Sequence, residues 1–242
     1  GDIYLQGMAH SCYGSTSYYR GLFEEAEDHL LRAIGFCENT THFTWGSWAS
    51  NFLGDMYFDQ GKYEKSIEAY QKAFSFLEKR RFGPSWLTLT KVAITRARVV
   101  QGDSEISLDE VLKYYGQNKN RAFAGWIAQY TAETLFHLSD PLLTQARSWA
   151  DKAIELDRQN GTRLLLGRDY LLSARIWNRM ENQAKAGEDL VQAIEIFRQC
   201  GADGYLNGMA QIVRLHAALH AVGRFHRDRA HAVLTQVLLD FS

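Results

Sequence analysis

The sequence predicts an all-α protein, an α-α superhelix of about six antiparallel helical hairpins. Three observations carry that expectation. Small residues recur on the second helix of successive hairpins, at Ala26, Ser66, Ser107, Ala146 and Ala186, in steps of 40, 41, 39 and 40 residues. Apolar residues spaced by three, four and seven flank glycines, so each unit reads as two amphipathic helices around a turn. No Val/Ile-rich alternation bounded by turn residues is present, and the only two prolines, Pro84 and Pro141, stand where helices would begin or turn.

The units read in order as residues 3–40, 43–80, 85–118, 121–158, 162–200 and 203–241, within one continuous domain spanning 1–242. The first turns at Gly21, with Gly14 before it and Ala26, Leu30 and Ala33 after it. The second is "FLGDMYFDQGKYEKSIEAYQKAF", in which Leu53, Gly54 and Tyr57 precede Gly61, and Tyr63, Ser66, Tyr70 and Ala73 follow it. In the third, Tyr114 stands in the place of the second alanine. Asp140 and Pro141 suit the N-cap and first helical position of the fourth unit's second helix, which carries Ala146, Ala150 and Ala153. Ala186, Leu190 and Ala193 repeat the pattern in the fifth, and a sixth turns at Gly223 and reaches Ala230 after a longer step. Gly116, Gly161 and Gly201 fall where left-handed C-caps are expected. Small residues at fixed positions let helices approach closely, and a hairpin that cannot bury both faces alone must stack on its neighbours.

Bulk composition narrows the function. A net charge of −1 provides no basic footprint for nucleic acid, and no polybasic face for a membrane. No apolar run approaches the roughly 20 residues of a membrane-spanning helix, and "GDIYLQG" lacks the basic and apolar blocks of a secretory signal. Cys12, Cys37 and Cys200 are widely spaced and form no metal pattern, so they read as reduced, buried thiols of a cytoplasmic protein.

Catalytic signatures are absent. There is no GxxxxGK[ST], GxGxxG or GxSxG, and neither Cys12 nor Cys200 has an evident base. His216 and His220, four apart with His226 and His231 nearby, have the spacing of two zinc ligands, but the glutamate of an HExxH site is missing. No catalytic residue, metal ligand or cofactor is assigned. The final stretch, "AHAVLTQVLLDF", carries more apolar surface than one preceding hairpin covers, and the chain starts almost inside a helix. Both ends read as cut from a longer protein, with the last helix available for self-association.

Leu53, Gly54, Tyr57, Ser66, Tyr70 and Ala73 together resemble the tetratricopeptide repeat, with about six residues more per unit than is usual in that family. The resemblance implies that the first helix of each hairpin lines a concave groove. Carried over, the first repeat presents Ser11, Ser15, Tyr18 and Tyr19, and the second Trp48, Asn51, Asp55 and Asp59. Arg96 comes from the third, and Arg168, Leu171, Arg175 and Arg179 from the fifth. One half of the groove is thus aromatic and mildly acidic, the other basic, and three arginines on one stripe suit a carboxylate or phosphate. The stretch "GEDLVQAIEIFRQCGADGYL" resembles repeats found downstream of nucleotide-binding modules in bacterial signalling ATPases, cyclases and large transcription regulators.

These readings imply a non-enzymatic interaction module that binds a peptide or partner domain, with an acidic segment fitting the basic stripe. It would serve as a regulatory or sensor arm of a larger bacterial signalling protein. The alternatives on the same scaffold are a sensor of small anionic ligands and a metal-binding protein built around the C-terminal histidines.

Overall fold

The computed structural model describes residues 2–38, 40, 43–80, 83–102, 108–138 and 141–207. Among them lie ten α-helices and no strand: α1 (Ile3–Arg20), α2 (Phe23–Glu38), α3 (Phe43–Asp59), α4 (Tyr63–Arg80), α5 (Pro84–Val100), α6 (Leu108–Gln117), α7 (Arg121–His137), α8 (Leu143–Asn160), α9 (Arg163–Arg179) and α10 (Gln183–Cys200). Odd and even helices pair as antiparallel hairpins, and each hairpin stacks on the next. Residues 203–207 begin another helical segment. Gly223, Ala230, the four C-terminal histidines and the apolar last helix lie outside the described residues, as do Ser107 and Asp140.

Local chemistry sets the turns. Gly21, Gly61, Gly161 and Gly201 all have positive φ, and the residue after each donates to a carbonyl five positions back, closing the helix end. The turn between α9 and α10 uses Glu181 at φ 61 for the same job, which burdens it with the left-handed strain that glycine avoids. Two expectations are corrected. Gly116 lies inside α6, and the chain turns instead through asparagines: Asn118 Oδ1 accepts from Asn120 N at 3.1 Å, and Asn120 Oδ1 caps α7 by accepting from Ala122 N at 3.0 Å. Pro141 is not the first residue of its helix, because α8 opens at Leu143 with Leu142 at the N-cap and no side-chain cap.

Packing follows the repeated small residues. Gly54 on α3 admits the ring of Tyr70 from α4 so closely that a Cβ would overlap it. Ser66 donates to the Gly54 carbonyl at 2.8 Å, tying the same two helices together. Gly14 takes Leu30 and Gly167 takes Phe197 in the same way. Fully buried Leu30, Met56, Ile127, Leu135, Ile176 and Phe197 fill the core within and between hairpins, each contributing roughly 1.5–3 kcal/mol by burial. The third hairpin is the exception. Its second helix, α6, has only ten residues, and α5 packs mainly against α4 and α7.

Of the cysteines only Cys37 is buried, and burial pushes its thiol up to about 11; Cys12 and Cys200 are exposed, which corrects the expectation of three buried thiols.

Candidate functional site: the charged inner face

Asn51, Asp55 and Asp59 are spaced by four on α3, so they share one stripe of that helix. Arg96 on α5, Glu133 on α7, and Arg168 with Arg175 on α9 continue the stripe across the array. The winding is tight enough for these stripes to meet, and charges predicted on opposite halves of the groove pair with each other.

The first meeting point is centred on Arg96, which is completely buried. Its guanidinium binds Asp55 Oδ1 at 3.0 Å and Glu133 Oε2 at 3.1 Å, and donates to the Tyr70 hydroxyl at 2.7 Å. The rings of Phe58 and Tyr130 lie on it at 3.8 and 3.7 Å. Asp55 also accepts from the Tyr70 hydroxyl at 2.6 Å and from that of Tyr130. Burial pushes the Glu133 carboxyl up, but Arg96 and Arg175 pull it down, and the pull wins. Glu133 Oε1 accepts from Arg175 at 3.2 Å, so two cations balance two carboxylates.

The second is centred on Arg168, also buried. It donates to the Tyr18 hydroxyl at 3.0 Å and pairs with Asp59 Oδ1 at 3.3 Å. The Tyr18 hydroxyl donates to Asp59 Oδ2 at 2.6 Å, and the Tyr205 hydroxyl sits 3.0 Å from Tyr18 and 3.2 Å from Asp59.

The expected open stripe of Arg168, Arg175 and Arg179 is therefore divided. Arg168 is committed internally, while Arg175 and Arg179 remain exposed, 5.2 and 5.3 Å over the ring of Phe136, with Arg175 also 3.1 Å from His137 Nε2. Asn51 is buried and spent on Ser47 and Thr90. Leu171 joins the apolar cluster around Phe197. Trp48 is half-buried, 5.5 Å from Trp86, which in turn lies 5.8 Å from Phe123, so α3, α5 and α7 share a rim of half-buried aromatic rings. Among the described residues, no three His, Cys, Asp or Glu side chains come together as a metal cluster, and no helix is long and apolar enough to cross a membrane.

A third buried centre was not foreseen. Asp157 at the end of α8 and Asp169 on α9 are both fully buried, and among the described residues neither makes a salt bridge. Asp157 Oδ1 accepts from Thr162 at 2.7 Å, and the buried Gln129 amide lies within reach of Asp169. Two ionised carboxylates side by side in the interior repel, which favours one of them holding a proton. Burial first, and then the Asp157 charge, push Asp169 well above the ordinary carboxylate range, which makes it the proton carrier and Asp157 the acceptor.

The fold and its inner face define a superhelical array of helical hairpins. Residues 5–87 match the model of the tetratricopeptide repeat, a family whose repeats generally mediate protein–protein interactions and are typically non-catalytic. No curated protein matches the sequence. A similar solved structure is the Signal Transduction ATPase with Numerous Domains protein with a tetratricopeptide repeat sensor from Pyrococcus horikoshii, 17% identical over 85% of this chain, with a TM-score of 0.45. The chain spans 34% of that structure's length.

Proposed function

We propose that the protein is a non-enzymatic interaction module, the regulatory or sensor arm of a larger bacterial signalling protein, which engages an acidic segment of a protein partner along its inner face. The observation that carries this reading is the exposed Arg175–Arg179 pair. These arginines are four residues apart on α9, both are exposed over Phe136, and while Arg175 gives one arm to Glu133 and Arg168 is committed inside, both still reach solvent. The aromatic rim of Trp48, Trp86 and Phe123 supplies apolar surface on the same set of odd-numbered helices.

A fluorescently labelled peptide of alternating glutamate and aspartate, titrated at low and high salt, tests the reading. Binding is expected to weaken as salt rises, because the attraction is largely Coulombic and exposed. Replacing Arg175 and Arg179 together with alanine should weaken it further without changing helical content. If the double variant binds the peptide as tightly as the parent, the pair is only a solvated surface.

A further inference from the structure

A stack of repeats normally touches itself only between neighbours, so stability sums along the array. This chain departs from that rule where Tyr130 of the fourth hairpin bridges to Asp55 of the second, and most widely at one further place. Tyr18 in the first hairpin and Asp59 in the second meet Arg168 in the fifth and Tyr205 beyond it, across sequence separations of 109 to 187 residues. The backbones touch there as well. A Cβ on Gly21, in the first turn, would overlap the Cα of Gly204, so two glycines face each other at the contact.

The character of this contact differs from the apolar packing that dominates the junctions between neighbours, two of which the Arg96 centre also bridges with ion pairs. Neighbouring hairpins bury leucine, isoleucine, alanine and phenylalanine against one another. The long-range contact is made of one ion pair, hydroxyl bridges, an edge-to-face approach of the Tyr18 and Tyr205 rings at 6.3 Å, and bare backbone. Tyr205 is itself held in place, stacked on Phe197 of α10 at 4.8 Å, so residues 203–206 arrive rigidly presented.

We propose that this contact is a latch that holds the superhelix closed, with Arg168 as its bolt and Asp59 and Tyr18 as the groups that receive it. Closed, the array keeps Arg168 and Tyr18 out of solvent and narrows the inner face. Opened, it exposes a cation, a carboxylate and two phenols on that face. Arg168 and Asp59 take no part in the apolar clusters that join neighbouring hairpins, so the hairpins are expected to stay folded in either form. The proposal concerns shape, and it stands or falls separately from the acidic-segment reading above.

The test uses the two exposed native thiols, Cys12 on α1 and Cys200 at the end of α10, which lie on the two sides of the contact. Spin labels on both, in the full chain, report their separation by pulsed dipolar spectroscopy. The parent should give one narrow distance distribution. Arg168→Gln and Asp59→Asn should each shift it to longer, broader distances with circular dichroism unchanged, and Tyr205→Phe should do so by a smaller amount. An unchanged distribution in Arg168→Gln would overturn the latch. Loss of helical content in that variant would also overturn it, because the contact would then be part of the folding core rather than a device laid over it.

Discussion

Two buried polar centres of this array solve the same problem in opposite ways. Around Arg96, burial of Asp55 and Glu133 is answered with cations and phenolic donors, so every charge has an opposite within about 3 Å. Around Asp157 and Asp169, burial is answered with a proton, and the pair gives up a charge instead of matching it. Both centres lie beside a glycine of an odd-numbered helix. Gly54 makes room for Tyr70, which bridges Arg96 and Asp55, and Gly125 makes room for the Asp157 carboxylate itself. The difference teaches that the repeat scaffold tolerates charge in its interior only where neighbouring repeats supply a counter-charge or remove the need for one.

The largest effect is expected where a matched charge is removed. Arg96→Ala leaves Asp55 and Glu133 buried with one fewer cation, and strips the Phe58 and Tyr130 rings of what they enclose. A loss of about 3–5 kcal/mol is expected, read by urea denaturation. A loss below about 1 kcal/mol would mean that water reaches the centre and that its burial is overstated.

How much of this was legible in the sequence depends on the range of the interaction. The fold class was, because Gly54, Ser66 and Ala73 act within one hairpin and their spacing records the packing directly. The stripe singled out residues that the structure buries: Asp55, Arg96 and Arg168 are all withdrawn from solvent. Their pairing was not legible. Whether Arg168 meets a ligand or Asp59 depends on how far each hairpin rotates on the last, and a period of about 40 residues says nothing of that rotation. Glu133 and Tyr130 were missed for the same reason, although an acid one repeat beyond Arg96 was a usable sign. Asp157 left a clearer trace. It occupies the register held by Cys37, Leu77 and Phe197 in other hairpins, and an acidic residue in an otherwise apolar register marks a special interior. The turn at Asn118–Asn120 was misjudged because Gly116 looked like a stop signal, while the asparagine side chains did the work.

The next effect tests whether the matched centre depends on its glycine seat. Gly54→Leu forces a branched side chain into the Tyr70 ring and pushes the Tyr70 hydroxyl away from Asp55 and Arg96. Overpacking alone costs roughly 1–3 kcal/mol, and the expected loss lies at the upper end of that range. Thermal unfolding checks it. If Gly54→Leu unfolds within a degree of the parent, the helices have moved apart without cost, and close approach at this position is not what holds the hairpin.

The smallest effect has the opposite sign, and it separates the two centres most sharply. Asp169 holds its proton more tightly in the folded chain than in the unfolded one. Between the ordinary aspartate value of about 3.9 and its raised folded value, the folded protein therefore binds more protons than the unfolded, and stability falls as pH rises. Asp169→Asn keeps the shape, presents a permanent donor to Asp157 and removes the titration. The variant should match the parent near pH 4 and exceed it at pH 8, by roughly 1–3 kcal/mol, which is what a buried polar group left without its partner costs. The Arg96 centre makes the contrary demand. Glu133 is held below the ordinary range by Arg96 and Arg175, so its contribution is present at neutral pH and fades on acidification through that lowered value. Denaturant titrations of the parent and Asp169→Asn at several pH values would read both slopes at once. Parallel profiles would show that Asp157 and Asp169 do not share a proton, and that the second centre is charged like the first.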